Sequence, residues 1–313
     1  MLKFVGKRLA TGVGLIAALS VLTFFLLQFG AAGTAQRIAG QSASPEAVAV
    51  VEERLGLDRP PLERFGSWVA DALGGDLGRS WFGGQPVVDT VTSRMAVTVT
   101  LAVGSVVLTA VIAVVLGALA AARRGWLDRL VQLLGVIGQA IPGFLMALAL
   151  VLVFAIELDW FPATGYTRPS ESIGGWLLSI ALPVVALTVG SIGGVAQQVR
   201  GSMIDAFSRD YVRTLRSRGL SRRRVVYRHV LRNAAGPALS ILGLQFVILL
   251  GGAVIVETLF SIPGLGPAAL SSTSQGDIPV VMGIVVVTGV VVVLVNTLVD
   301  VAQAWVNPKV RLS

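Results

Sequence analysis

The segment DAFSRDYVRTLRSRGLS, residues 205–221, is followed at once by Arg222, Arg223 and Arg224 and lies between two apolar runs, Trp176–Val199 and Ala238–Phe260. Crossing the hydrocarbon core of a bilayer takes about 20 helical residues, and each run is long enough. A basic, amphipathic insert between two such runs reads as an element projecting from a membrane bundle. Phe207, Tyr211 and Leu215 recur every four residues with Val212 beside them, which is one helix face, while Arg209, Arg213 and Arg216 take the others. The pattern predicts a helix over 205–218. Gly219 fits the position just past its end, where φ > 0 is needed and only glycine has no steric cost. Leu220 follows, and Ser221 suits the N-cap of a second helix running to about Ala235. Pro237 is expected to stop that helix and to open the next span. The three arginines would then occupy a helix first turn, where the macrodipole makes each cation unfavourable by about 0.3–1 kcal/mol. Docking on an acidic partner or contact with lipid phosphates would offset that cost. Retention of basic residues on the cytoplasmic side accounts for them equally, and the readings are compatible.

Outward from this segment the chain is apolar. Of its 313 residues 54% are hydrophobic and 13% charged, about half the charged share of a soluble domain. Six long runs emerge: about Leu9–Gly30, Ala96–Ala122, Leu130–Ile156, Trp176–Val199, Ala238–Phe260 and Val280–Val306. The first has basic residues before it, as a signal peptide does. Its length exceeds the roughly 7–15 apolar residues of a signal sequence, so it reads as a retained helix. Ile284–Val295 is rich in β-branched residues, yet the length of its run favours a helix in lipid. With the N-terminus inside, segments 1–8, 123–129, 200–236 and 307–313 hold 18 of the 25 Lys and Arg. This asymmetry predicts six spans with both termini cytoplasmic, and it explains the net charge of +8 without a nucleic-acid partner. There is no cysteine and only one histidine, His229, which excludes disulfides, thiol chemistry and a histidine metal site.

The outer segment 31–95 is expected to form a compact lobe. Ser44 suits an N-cap and Pro45 the first position of a short amphipathic helix reaching about Leu57. Polar side chains inside the spans face protein or water, which makes Gln139, Gln245, Glu257 and Asn296 candidates for a translocation path. Interhelical hydrogen bonding is the competing role for these four, and for Asp300 it is the preferred one. Gly190, Gly193 and Gly194 share one helix face and predict close packing. Pro142 and Pro183 interrupt spans three and four, where kinks are expected to be ordinary features of membrane helices.

The run Asp210-Tyr211-Val212-Arg213-Thr214-Leu215-Arg216-Ser217-Arg218-Gly219-Leu220-Ser221, continued by Arg228-His229-Val230-Leu231-Arg232-Asn233-Ala234, resembles the cytoplasmic loop of ABC-importer permeases in their dipeptide/oligopeptide branch. Gly75-Asp76-Leu77-Gly78-Arg79-Ser80, Val256-Glu257-Thr258-Leu259-Phe260, Pro263-Gly264-Leu265-Gly266 and Asn307–Leu312 are similar to further signatures of that branch, in the same order. Ala31–Ala35 and Gly138–Gly143 depart from the branch pattern. The resemblance implies an all-α membrane protein with the type I importer permease fold. Its organisation would be an N-terminal segment with the first span (1–30), an extracytoplasmic lobe (31–93), a five-helix transmembrane domain (94–304) containing the coupling segment 200–236, and a cytoplasmic tail (305–313). It implies a second homologous permease, most simply in a heterodimer, two ATP-binding subunits and an extracytoplasmic substrate-binding protein, all working within membrane lipid. ATP and Mg would act in those subunits, with no cofactor in this chain. Coupling to the ATPases would fall to Asp210, Tyr211, Arg213, Arg218, Gly219, Leu220, Ser221, Arg223, Arg224, Arg228 and His229. The cargo would be di- or oligopeptides, with nickel, glutathione or another small solute as alternatives.

Two other classes compete. An ion-coupled secondary transporter would favour membrane carboxylates or inverted repeats, and the chain offers only Glu257 and Asp300. An intramembrane enzyme would need a catalytic constellation, and neither H-E-x-x-H nor G-x-S-x-G occurs. The phosphate-cradling G-x-x-x-x-G-K-[ST] is missing as well, so the chain is expected to be a pore subunit and not an enzyme.

Overall fold

The computed structural model describes residues 2–31, 33–123 and 125–306. Asn307–Leu312, part of the resemblance and of the expected tail, lie outside the described residues, as do Ala32 and Arg124. Among the described residues the regular structure is helical, apart from one isolated antiparallel bridge between Arg79 and Pro86. In order, the helices are α1 (Leu2–Ala31), α2 (Thr34–Ala39), α3 (Pro45–Leu55), α4 (Pro61–Leu73), α5 (Val87–Arg123), α6 (Trp126–Ala140) and α7 (Gly143–Leu150), the last prolonged by a π-helical stretch Val151–Glu157. There follow α8 (Ile173–Ser208), α9 (Asp210–Ser217), the single turn α10 (Arg222–Arg224) leading through π-helical Val225–Val230 into α11 (Leu231–Leu259), then α12 (Leu265–Gln275) and α13 (Ile278–Val306).

Five stretches are long and apolar enough to cross a membrane: Gly6–Phe29, Val87–Arg123, Ile173–Ser208, Val225–Leu259 and Ile278–Trp305. A sixth is the pair Trp126–Ala140 and Gly143–Glu157 counted together, bent by 97° at its break. In lipid every backbone N–H and C=O must be satisfied within the segment, so the β-branched Ile284–Val295 is helical, as its length predicts.

Three local expectations are corrected. The third run is no ordinary kinked span. Ile141 is extended (ψ 120°), as a residue before proline prefers, and the helix stops at Ala140 to restart at Gly143. The helix expected over 205–218 is two helices, because residues 205–208 close α8 and Arg209 is extended (ψ 145°). Ser208 Oγ donates to the Asp205 carbonyl at this point, a local side-chain bond that competes with helical continuation. Pro237 does not end a helix. α11 runs through it, as α8 runs through Pro183, because a break in apolar surroundings would orphan more backbone groups than the one lost N–H.

Residue contacts divide the chain into two units. The unit formed by 99–262 with 295–306 holds a core in which Ala120, Val195, Val199, Met203, Val212, Val225 and Val230 are buried. α6 and α8 meet there through glycine: a Cβ on Gly193 would lie 2.5 Å from the Gly135 Cα, whereas one on Gly190 would meet nothing within 4 Å. Asp128 of α6 receives both Arg200 Nε and Arg200 Nη2 of α8, the latter at 2.7 Å. The unit formed by 2–98 with 263–294 carries the lobe. α3 starts as its cap residues predict, with Ala47 N–H donating to Ser44 Oγ at 3.3 Å, and Gly56 (φ +65°) closes it. α12, in a segment that offered no apolar run, ends on Gly276 (φ +76°) and delivers the buried Asp277. That carboxylate accepts from Ser80 Oγ at 2.5 Å and from Trp81 N–H at 3.2 Å.

Candidate functional site

α9 is a short amphipathic helix whose Val212 is buried and whose Tyr211 and Leu215 pack on the core around Val225 and Val230. Its end satisfies the last carbonyls in a Schellman arrangement. Gly219 N–H donates to the Arg216 carbonyl at 3.0 Å and Leu220 N–H to the Leu215 carbonyl at 3.3 Å, with Gly219 at φ +78°. Leu220 and Leu215 rest against the same core, supplying the hydrophobic contact that accompanies the motif. Ser221 then begins the next helix, its Oγ accepting from Arg224 N–H at 3.4 Å and its carbonyl from Val225 N–H at 3.1 Å.

Beyond α10 the π-helical stretch turns Val225, Val226 and Val230 inward. Asn233 Nδ2, at the base of α11, donates to Tyr211 Oη at 3.0 Å and to the His229 carbonyl at 3.1 Å, tying α9 to α11. The turn is thus clamped from both sides by buried valines and one polar bridge. His229 is half-buried at that bridge, and the described residues contain no group of three or more His, Cys, Asp or Glu side chains that could hold a metal ion.

The outer face is cationic. Arg213, Arg218, Arg223, Arg224 and Arg228 are all exposed, and so are Asp210, Gly219 and Ser221. Arg213 lies 3.9 Å from Asp210, but with side chains 82% and 98% exposed such a pair stabilises little. Tyr227, which sequence reasoning missed, stands among these arginines with 61% of its surface exposed. An aromatic three or four residues after Arg223 and Arg224 was the available signal, but regular helical periodicity does not reveal that the π-helical register turns it outward. A rigid, convex, arginine-rich surface with one exposed tyrosine has the composition of a protein-docking hot spot.

The residues read as a translocation path have different surroundings. Gln245 Nε2 donates to Ser191 Oγ of α8, and Gln139 Nε2 donates to the Gly135 carbonyl of its own helix at 3.3 Å. Glu257 is wholly buried, while Asn296 is exposed on α13. Gln139 lies immediately before the 97° break, so a polar side chain marks the end of the half-helix. The Asp128–Arg200 pair was also not anticipated, because its members stood as unremarkable charges in the separate segments 123–129 and 200–236.

The profile of the family described as "Binding-protein-dependent transport system inner membrane component" matches residues 113–312, and its N-terminal companion matches residues 1–102. The chain is 36% identical to a putative peptide transport system permease of Brucella abortus over 97% of its own length and 98% of the relative's. It is 34% identical to a probable peptide ABC transporter permease of Sinorhizobium fredii, covering 98% and 99%. To the glutathione transport system permease GsiC of Escherichia coli it is 35% identical, covering 99% of each chain. With spans, basic helix–turn–helix and full-length similarity in agreement, the chain belongs to the family of binding-protein-dependent transport system inner membrane components, as a multi-pass inner-membrane permease of an ABC importer.

Proposed function

We propose that this permease moves peptides inward across the cytoplasmic membrane and that ATP hydrolysis, with Mg, occurs in two separate ATP-binding subunits docked on residues 205–235. The observation that carries the reading is the exposed arginine face on a turn clamped to the core through Val212, Val225 and Val230. A push on such an element is transmitted to α8 and α11 instead of being absorbed by a flexible loop. The partner surface that fits it is acidic. In this reading the helix–turn–helix is cytoplasmic, a second homologous permease completes a heterodimeric pore, and an extracytoplasmic binding protein delivers the cargo. Gln139, Gln245, Glu257 and Asn296 are its candidate path residues.

The peptide cargo is supported by the Brucella and Sinorhizobium relatives, and glutathione by GsiC. Both are amide-linked zwitterions, so one path chemistry serves either. The test is uptake of labelled peptides and of glutathione by the complete complex in proteoliposomes. Uptake should require ATP, and an ion gradient alone should not drive it. Arg223→Glu with Arg224→Glu should abolish uptake and substrate-stimulated hydrolysis while the permease pair stays assembled. Uptake driven by an ion gradient without ATP, or unchanged coupling in the double variant, overturns the reading.

A further inference from the structure

At the Phe29 end of the first span, α4 lies against α1 and makes a recess of about 160 Å³ whose walls include Phe24, Trp68, Trp81, Arg59 and Arg64. Its apolar side is built from rings. Phe24 and Phe65 centroids are 5.2 Å apart, and Phe65 stacks on Trp68 at 6.1 Å. Its polar side includes the donors of Arg59, Arg64 and Trp68. Arg64 Nη1 donates to Gln28 Oε1 at 2.9 Å, and its guanidinium carbon lies 5.9 Å from the Phe24 ring centre. Two buried donors beside it, Gln28 Nε2 and Trp68 Nε1, have no hydrogen-bond partner. A buried N–H left without a partner costs about 1–3 kcal/mol, and the Trp68 indole stands in the wall of the recess.

The arginines point the same way. Burial pushes the Arg64 guanidinium down from its ordinary value, and the neighbouring Arg59 charge pushes it further, with Asp58 opposing. Arg59 Nε lies 4.0 Å from a Glu63 carboxylate oxygen, with both side chains more than half exposed. The recess thus sets two guanidinium groups and an unpartnered indole N–H beside aromatic rings, surroundings suited to an anion.

We propose that this recess binds the phosphate of a membrane phospholipid, its head group held between Arg59 and Arg64 and its acyl chains running down α1. A free anion would satisfy the donors but would leave the aromatic walls without a purpose. The rings stand at the end of a membrane span, where aromatic belts meet head groups and basic pockets hold lipid phosphate. Bound there, the lipid would fasten the lobe helix α4 to the bilayer edge. The site is independent of ATPase docking and of cargo.

The experiment uses the delipidated full-length chain in an uncharged detergent, with native mass spectrometry reading retained adducts of dioleoyl phosphatidylglycerol, dioleoylglycerol and inorganic phosphate. Phosphatidylglycerol should be retained and dioleoylglycerol should not, and excess inorganic phosphate should not displace the lipid. Arg59→Gln should weaken retention about tenfold, the scale of one hydrogen bond to a charged group. Arg59 is exposed, so this variant carries less unfolding risk than a change at the half-buried Arg64. Trp68→Phe, which keeps the ring and removes the N–H, should weaken retention as well. Equal retention of the phosphate-free lipid, displacement by inorganic phosphate, or unchanged retention in both variants would each overturn the proposal.

Discussion

Gly219 offers the sharpest test of how the helix–turn–helix works. It sits at φ +78°, where an L side chain brings its Cβ against the following carbonyl at a cost of about 1–2 kcal/mol. Nothing else opposes a side chain there, since a Cβ at Gly219 meets no atom within 4 Å. The penalty is therefore purely conformational and should follow left-handed tolerance, not size. Asparagine tolerates that region, alanine does so poorly and a β-branched valine worst. A cost of about one to two kcal/mol shifts the ratio of closed to open turn by roughly 5–30-fold. Opening releases Gly219 N–H and Leu220 N–H from the Arg216 and Leu215 carbonyls but leaves Val212, Val225 and Val230 buried. The bundle should survive while the rigid link to the ATPases slackens. In proteoliposomes holding the complete complex, peptide taken up per ATP hydrolysed should fall in the order Gly219, Asn, Ala, Val. Thermal unfolding of the permease pair should barely move. A valine variant with wild-type coupling, or an asparagine variant as impaired as valine, would refute the link between turn geometry and coupling.

Other substitutions test the packing on which this element rests. Gly193→Ala forces a methyl into the Gly135 backbone and should destabilise the chain by about 1–3 kcal/mol in thermal unfolding. Gly190→Ala, three residues away with open space, should instead be neutral or stabilise by up to about 1 kcal/mol. Asp128→Asn takes the carboxylate from the guanidinium of Arg200, whose side chain is 25% exposed, and should cost about 1–3 kcal/mol, with Asp128→Leu plus Arg200→Met recovering much of it. Asp277→Asn weakens the bonds to Ser80 Oγ and Trp81 N–H and should speed hydrogen exchange at the Trp81 amide before any global loss, at a cost of about 1–3 kcal/mol.

Much of the fold was legible because lipid restricts the menu to helices, and length with charge asymmetry then counts the spans. The Gly219 turn was legible too, since a positive φ selects its residue locally. The proline outcomes were not. Pro142 and Pro183 stand in apolar runs and Pro237 at the edge of one, and all lack an N–H, yet the first accompanies a 97° break while the others sit inside continuous helices. The missing N–H is the same in each case, so it alone does not separate the break from the continuous helices. The same holds for Ser80 with Asp277, 197 residues apart, and for Gly193, whose small size matters only because Gly135 lies opposite.

Arg223 and Arg224 were legible for the opposite reason, because they contradict a local rule. Among the described residues neither forms an ion pair, both are exposed, and both stand in a helix first turn where the dipole repels them. Glutamate at both positions should stabilise the isolated helix by about 0.3–1 kcal/mol each. If coupling is nevertheless lost in that variant, stability and function move in opposite directions from one substitution. Retention of positive charge on the cytoplasmic side predicts no such divergence, because it asks only where the charge lies and not what it touches. A partner that supplies the missing carboxylates does predict it, and a site that breaks a local rule without internal compensation is where such a partner is to be sought.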